Sequence, residues 1–103
     1  MSNWVEVADA ADFNSTDRKA VKMNGDREIA LFRVGDEYFA VDEPCSHEKA
    51  SLLLGEVSDH EVMCALHGAR FDLRTGRNLG LPAVRPVGSY RVKVESGKIY
   101  VGA

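Results

Sequence analysis

Apolar and polar residues alternate in short runs through both ends of the chain, the period of strands buried on one face only. Trp4 to Val7 is one such run. Lys19 to Met23 is a second, followed by Asn24-Gly25, a dipeptide suited to a tight hairpin because both positions tolerate positive φ. Glu28 to Val34 and Glu37 to Asp42 follow, joined across Gly35-Asp36, and Tyr90 to Glu95 and Lys98 to Val101 flank Ser96-Gly97. Ala10 to Phe13 reads as one helical turn with Asp9 as its cap. The pattern predicts an all-β fold whose antiparallel scaffold is made from both ends of the chain. Residues 44–85 read differently: short strands near Glu56 to Ser58 and Glu61 to Cys64, with loops marked by Gly76, Gly80 and Pro82. Nothing repeats, and no segment has the composition of a linker.

Composition narrows the classes. The 103 residues make one domain with a small core, so a metal centre could add appreciably to its order. A net charge of −3 without a cluster of Lys and Arg argues against nucleic acid. No apolar run is long enough to span a membrane. Met1-Ser2-Asn3-Trp4-Val5-Glu6 has neither the basic start nor the apolar stretch of a secretory signal, so the expected compartment is the cytoplasm, where thiols stay reduced.

The candidate chemistry lies in two boxes. Cys45-Ser46-His47 reads C-x-H and Cys64-Ala65-Leu66-His67 reads C-x-x-H, with sixteen residues, 48 to 63, between them. They hold both cysteines and two of the three histidines. Such a set, split evenly between boxes, fits a [2Fe–2S] centre in which two thiolates hold one iron and two imidazoles the other. Two alternatives stay open on residue types alone. A Cys45–Cys64 disulfide belongs to oxidising compartments. A structural zinc site usually groups its cysteines in one knuckle and its histidines in another, and here each box supplies one of each. His60, in the polar turn Ser58-Asp59-His60-Glu61 outside both boxes, reads as a solvated turn residue.

The two boxes, with Gly68, Phe71-Asp72, Thr75-Gly76 and Leu81-Pro82-Ala83, resemble the Rieske ferredoxins over nearly the whole chain. The resemblance implies one [2Fe–2S] cluster, with Cys45 and Cys64 on the inner iron and His47 and His67 on the outer. It implies a cluster-binding subdomain, residues 44–85, inserted into a scaffold of residues 1–43 and 86–103, with the loop bearing Pro82 as the cluster's cover. Similarity is closest to the ferredoxin components of bacterial aromatic-ring-hydroxylating dioxygenases. The expected role is therefore a one-electron carrier, not an enzyme, between a flavin (FAD) NAD(P)H ferredoxin reductase and a terminal Rieske oxygenase, and the expected state is monomeric. A small Rieske-fold subunit of an assimilatory nitrite reductase is the alternative, and the presence of all four ligands weighs against it.

Departures from the family pattern refine the expectation. Lys49 stands where many relatives have glycine, and Ala65 where proline is frequent. High-potential Rieske proteins of cytochrome bc-type complexes carry cysteines at the positions of Ala50 and Leu66, a serine at Ala69 and a tyrosine at Phe71. This chain has none of these, which places its resemblance with the low-potential class.

Overall fold

The structure, a computed structural model, describes residues 4–23, 27–43, 51–64, 68–79 and 85–102. In chain order its strands are β1 (Trp4–Asp9), β2 (Arg18–Lys22), β3 (Glu28–Val34), β4 (Glu37–Asp42), β5 (Glu56–Ser58), β6 (Glu61–Met63), β7 (Arg70–Asp72), β8 (Ser89–Tyr90), β9 (Val92–Glu95) and β10 (Lys98–Gly102). Two 3₁₀ turns interrupt them, Ala10–Phe13 and Leu52–Leu54. The strands form three antiparallel sheets, ordered β1-β10-β9, β2-β3-β4-β8 and β5-β6-β7. An all-β fold is what the alternation calls for. The pairing of β1 with β10 joins the two ends of the chain, as expected.

β3 organises the interior. Its sequence, Glu-Ile-Ala-Leu-Phe-Arg-Val, is apolar at four consecutive positions, the mark of a strand covered on both faces. Because side chains alternate, Ile29 and Leu31 enter one core and Ala30 and Phe32 the other. The first core takes Phe13, Val21, Ile99 and Val101. The second takes Val41, Leu52, Val62, Cys64, Phe71 and Leu73, and so reaches into the middle of the chain.

Several local expectations are corrected. The strand expected over Tyr90 to Glu95 is two strands. Tyr90 pairs with Ala40 in the β2–β3–β4–β8 sheet, whereas Val92 to Glu95 pair with β10. Arg91 is the corner, and its carbonyl accepts the Gly102 N–H at 2.8 Å. Strands change sheets at such corners, and alternation cannot reveal one because both halves keep the period. β1 runs two residues beyond its apolar stretch and has a register shift between Glu6 and Ala8. The expected helical turn forms as a 3₁₀ turn, with the Asp9 N–H donating to Asp12 Oδ2 at 3.1 Å. The Asn24-Gly25 turn lies outside the described residues, but the β2–β3 pairing it would connect is present.

The chain returns from its middle to the scaffold beside Gly76. This glycine has φ +79°, its N–H donates to Asp72 O at 2.7 Å, and its carbonyl accepts from Val87 N at 2.9 Å. A Cβ built there would fall inside the Val87 carbonyl oxygen. Gly76→Ala therefore meets both a disfavoured backbone region and a backbone clash. We expect it to destabilise the fold by about 2 kcal/mol or more, read as a lowered midpoint in chemical denaturation.

Candidate metal centre

Of the four expected ligands, Cys64 lies among the described residues; Cys45, His47 and His67 fall in 44–50 and 65–67, outside them, as does the Leu81-Pro82-Ala83 segment. Cys64 was expected to end a strand. Instead β6 stops at Met63, and Cys64 is the first residue beyond it, 1% exposed. Its N–H donates to Ala69 O at 2.6 Å, which continues the β6–β7 register by one pair and closes the loop that carries the second box. The first box is closed in a similar way: the Leu52 N–H donates to Glu43 O at 2.8 Å across residues 44–51. Leu52, Cys64 and Ala69 are packed in one buried cluster. The stems of two loops far apart in sequence are thereby fixed side by side.

Gly68 ends the second loop with φ +71°. Among the described residues the nearest atom to a Cβ there is Met63 Sδ at 3.9 Å, and the left-handed backbone favours glycine. Cys64, Gly68, Met63, Leu54 and Glu56 together line a cavity of about 320 Å³. A buried thiol that opens on such a space, with a second Cys-x-His loop rooted beside it, fits a thiolate-held metal centre. Among the described residues no three His, Cys, Asp or Glu side chains converge, here or elsewhere.

Two polar clamps, unmarked by any sequence motif, hold this region to the scaffold. The Arg18 Nη1 on β2 donates to Leu53 O at 3.0 Å and also to Gly55 O, so one guanidinium holds the middle of the Leu52–Leu54 turn and the residue that follows it. It stacks 5.3 Å from the Phe32 ring centroid, and its Nε donates to Asp17 Oδ1 at 2.8 Å. That hydrogen bond holds the Asp17 carboxyl below its ordinary range. The Ser51 hydroxyl completes the turn by accepting the Leu53 N–H at 3.1 Å. On the other side, the Asp42 carboxylate accepts from Gly88 N at 2.7 Å and from the Tyr90 hydroxyl, joining the outgoing and returning chain segments. Burial, and then the Asp42 carboxylate, push the Tyr90 hydroxyl above its ordinary pKa. The signal that could have found Arg18 is weak: a lone arginine in a strand usually extends into solvent.

His60 is in the turn where it was expected, but it is not simply solvated. Its side chain is 27% exposed, because the turn lies against β4 and the imidazole meets the Phe39 ring edge to face at 5.5 Å. Nδ1 is 3.0 Å from Asp59 Oδ1 and Nε2 is 3.6 Å from Glu37 Oε1. At the far end of β7, two hydrogen bonds from the Arg74 side chain, reinforced by its backbone N–H, keep the Asp72 carboxyl below its usual range.

Comparison with known proteins agrees with this geometry. A family profile described as the Rieske [2Fe-2S] domain matches residues 3–91. The ferredoxin component of the naphthalene 1,2-dioxygenase/salicylate 5-hydroxylase systems of a Ralstonia species is 37% identical over 97 residues, covering 94% of this chain and 92% of the relative. Among solved structures, the complex of reduced oxygenase and oxidised ferredoxin in carbazole 1,9a-dioxygenase matches with a TM-score of 0.86 at 32% identity, over 96% of this chain and 92% of that one. A Mycobacterium tuberculosis chain assigned as the small subunit of an NADH-dependent nitrite reductase gives 0.87 at 23% identity, over 100% and 96%, a likeness of fold alone.

The Arg18 clamp yields a direct expectation. Hydrogen bonds from a charged donor contribute about 1.5–3 kcal/mol, and Arg18→Ala also leaves the Leu53 and Gly55 carbonyls without this donor. The variant should unfold earlier in denaturant by about that amount, and amide exchange at residues 52–55 should accelerate more than in β10.

Proposed function

The chain belongs to the Rieske [2Fe-2S] domain family, and from that premise we propose that it works as the ferredoxin of an aromatic-ring-hydroxylating dioxygenase system. The observation that carries this reading is the near full-length likeness to a dioxygenase ferredoxin component, in a chain whose buried Cys64 lines a cavity beside Gly68, Met63 and Leu54. The protein is an electron-transfer component and not itself the catalyst. A reductase that oxidises NAD(P)H through FAD supplies the electron, and a terminal oxygenase receives it. The solved oxygenase–ferredoxin complex of a relative supports the second partner. A monomer in the cytoplasm suits a carrier that visits both.

When bound, a [2Fe–2S] centre supplies reversible one-electron chemistry at a potential tuned by its ligands and their surroundings. Cys45 and Cys64 are the proposed ligands of the inner iron, and His47 and His67 of the outer. Residues 44–85 form the cluster-binding subdomain, with β5–β7 as its sheet, on a scaffold of residues 1–43 and 86–103. The chain's own part is to hold the Cys64 sulfur dry and fixed: Val62, Ala69 and Phe71 around it are all 0% exposed. The nitrite reductase alternative has only fold-level support, and this chain keeps both cysteines and both box histidines.

The ligand assignment predicts that Cys45→Ser, Cys64→Ser, His47→Ala and His67→Ala each abolish the Rieske-type visible and electron paramagnetic resonance spectra. His60→Ala, outside both boxes, should retain them. An intact spectrum in His67→Ala would refute the set.

Ala69 and Phe71 bear no hydroxyl and are fully buried, so neither offers an O–H hydrogen bond to the centre. The potential is accordingly expected near the low end of the Rieske range, around −150 mV. Ala69→Ser with Phe71→Tyr should raise it. A hydrogen-bond preference of about 1.4 kcal/mol for the reduced state corresponds to roughly 60 mV for one electron. Voltammetry of the double variant, with the spectrum intact, checks this.

A further inference from the structure

Two of the three large apolar residues exposed among the described ones lie together beside Cys64. Leu54 is 76% exposed and Met63 38%; the third, Val94, is on β9 in another sheet. The strand pairings explain why. In the β5–β6–β7 sheet, Val57, Val62 and Phe71 turn toward the core, which leaves Glu56, Met63 and Arg70 in one row across the opposite face. Ser58, Glu61 and Asp72 form the next row.

Charges on this face are unevenly compensated. Arg70 donates to Glu61 Oε1 at 3.2 Å and to Leu79 O at 3.1 Å, and Arg74 binds Asp72 at 3.1 Å. Among the described residues the Glu56 side chain has no hydrogen bond or ion pair, although its backbone is in the β5–β6 ladder. It lines both the cavity shared with Leu54, Met63, Cys64 and Gly68 and a second cavity of about 270 Å³ shared with Ser58, Glu61, Met63 and Arg70. The two cavities adjoin through Glu56 and Met63. The result is a strip with an apolar end against Cys64 and an uncompensated carboxylate behind it.

We propose that this strip, Leu54 and Met63 with Glu56, is the surface on which the terminal oxygenase docks. The proposal rests on the carrier reading above. The complementary surface presents an apolar side chain that covers Leu54 and Met63, flanked by a lysine or arginine that meets Glu56. Exposed apolar side chains that gather at one place mark interaction sites, and redox encounters use small ones. The charge adds orientation and encounter rate more than affinity, and it does so in a salt-dependent way. A partner side chain seated there lies against the cavity that Cys64 lines, which puts the docking surface next to a proposed cluster ligand.

The test uses the cluster-loaded full chain and, as probe, the terminal oxygenase of a carbazole 1,9a-dioxygenase. Leu54→Gln, Glu56→Gln and Val94→Gln change only exposed side chains, so folding and the spectrum should persist in all three. Expected for Leu54→Gln is a rise of about five- to tenfold in the carrier concentration that half-saturates the oxygenase. Glu56→Gln should raise it about threefold in dilute buffer, a difference that fades toward roughly 1 M salt, where screening acts within about 3 Å. Val94→Gln should behave as the parent, and the potential should be the same in all. If the parent chain saturates the oxygenase and Leu54→Gln and Glu56→Gln match it at low salt, the docking surface is wrong while the carrier reading stands. A parent chain that holds its cluster but delivers no electron to the oxygenase overturns the partner and the proposal together.

Discussion

β3 is buried on both faces, and the rest of the structure depends on that. Its alternate side chains seed two cores, one shared with β1 and β10 and the other with the middle of the chain. Phe32 and Ala30 pack in the same cluster as Leu52, Cys64 and Ala69, the residues that close the two loops. The loops are thus rooted in an apolar layer that the scaffold supplies. A short three-stranded sheet such as β5–β6–β7, with three residues to a strand, is too small to be stable alone. Burial against β3 and β4 makes up the difference.

Apolar packing by itself is non-directional, and the polar clamps supply direction. Arg18 fixes where the Leu52–Leu54 turn sits relative to β2, and Asp42 fixes where the chain returns at Gly88. Each joins segments more than thirty residues apart through backbone groups, so the contact specifies position and does not depend on the neighbouring side-chain type. Gly76 acts alongside them, because its left-handed backbone lets the turn after β7 approach Val87. A redox centre whose surroundings must change little as charge comes and goes is well served by such a frame.

The strands of the scaffold were legible because each keeps a period of two between turn residues. β2, β3, β4 and β10 appear within a residue of their expected limits. Legibility failed where the tertiary arrangement, and not the period, sets the boundary. The run over Tyr90 to Glu95 splits at Arg91 because its halves serve different sheets. β7, Arg70–Asp72, left no readable trace: it has one apolar residue, and its pairing partner is needed to see it. His60 looked solvated because its sequence neighbours are polar, yet Phe39, twenty-one positions away, covers its ring.

The sequence by itself determined the proposed donor set. Two thiols and two imidazoles stand one of each in two boxes, a pattern of residue type and spacing that is local to the chain. It also determined the strand periods, since alternation is local. What the tertiary structure alone decided is the frame around those donors: the burial of Cys64, the meeting of the two loop stems, the grip of Arg18, and the strip of Leu54, Met63 and Glu56 left facing outward. These arise from contacts between segments distant in the chain. Such contacts depend on which faces the strands turn toward one another, and a local pattern records the period of a strand without recording what it will meet.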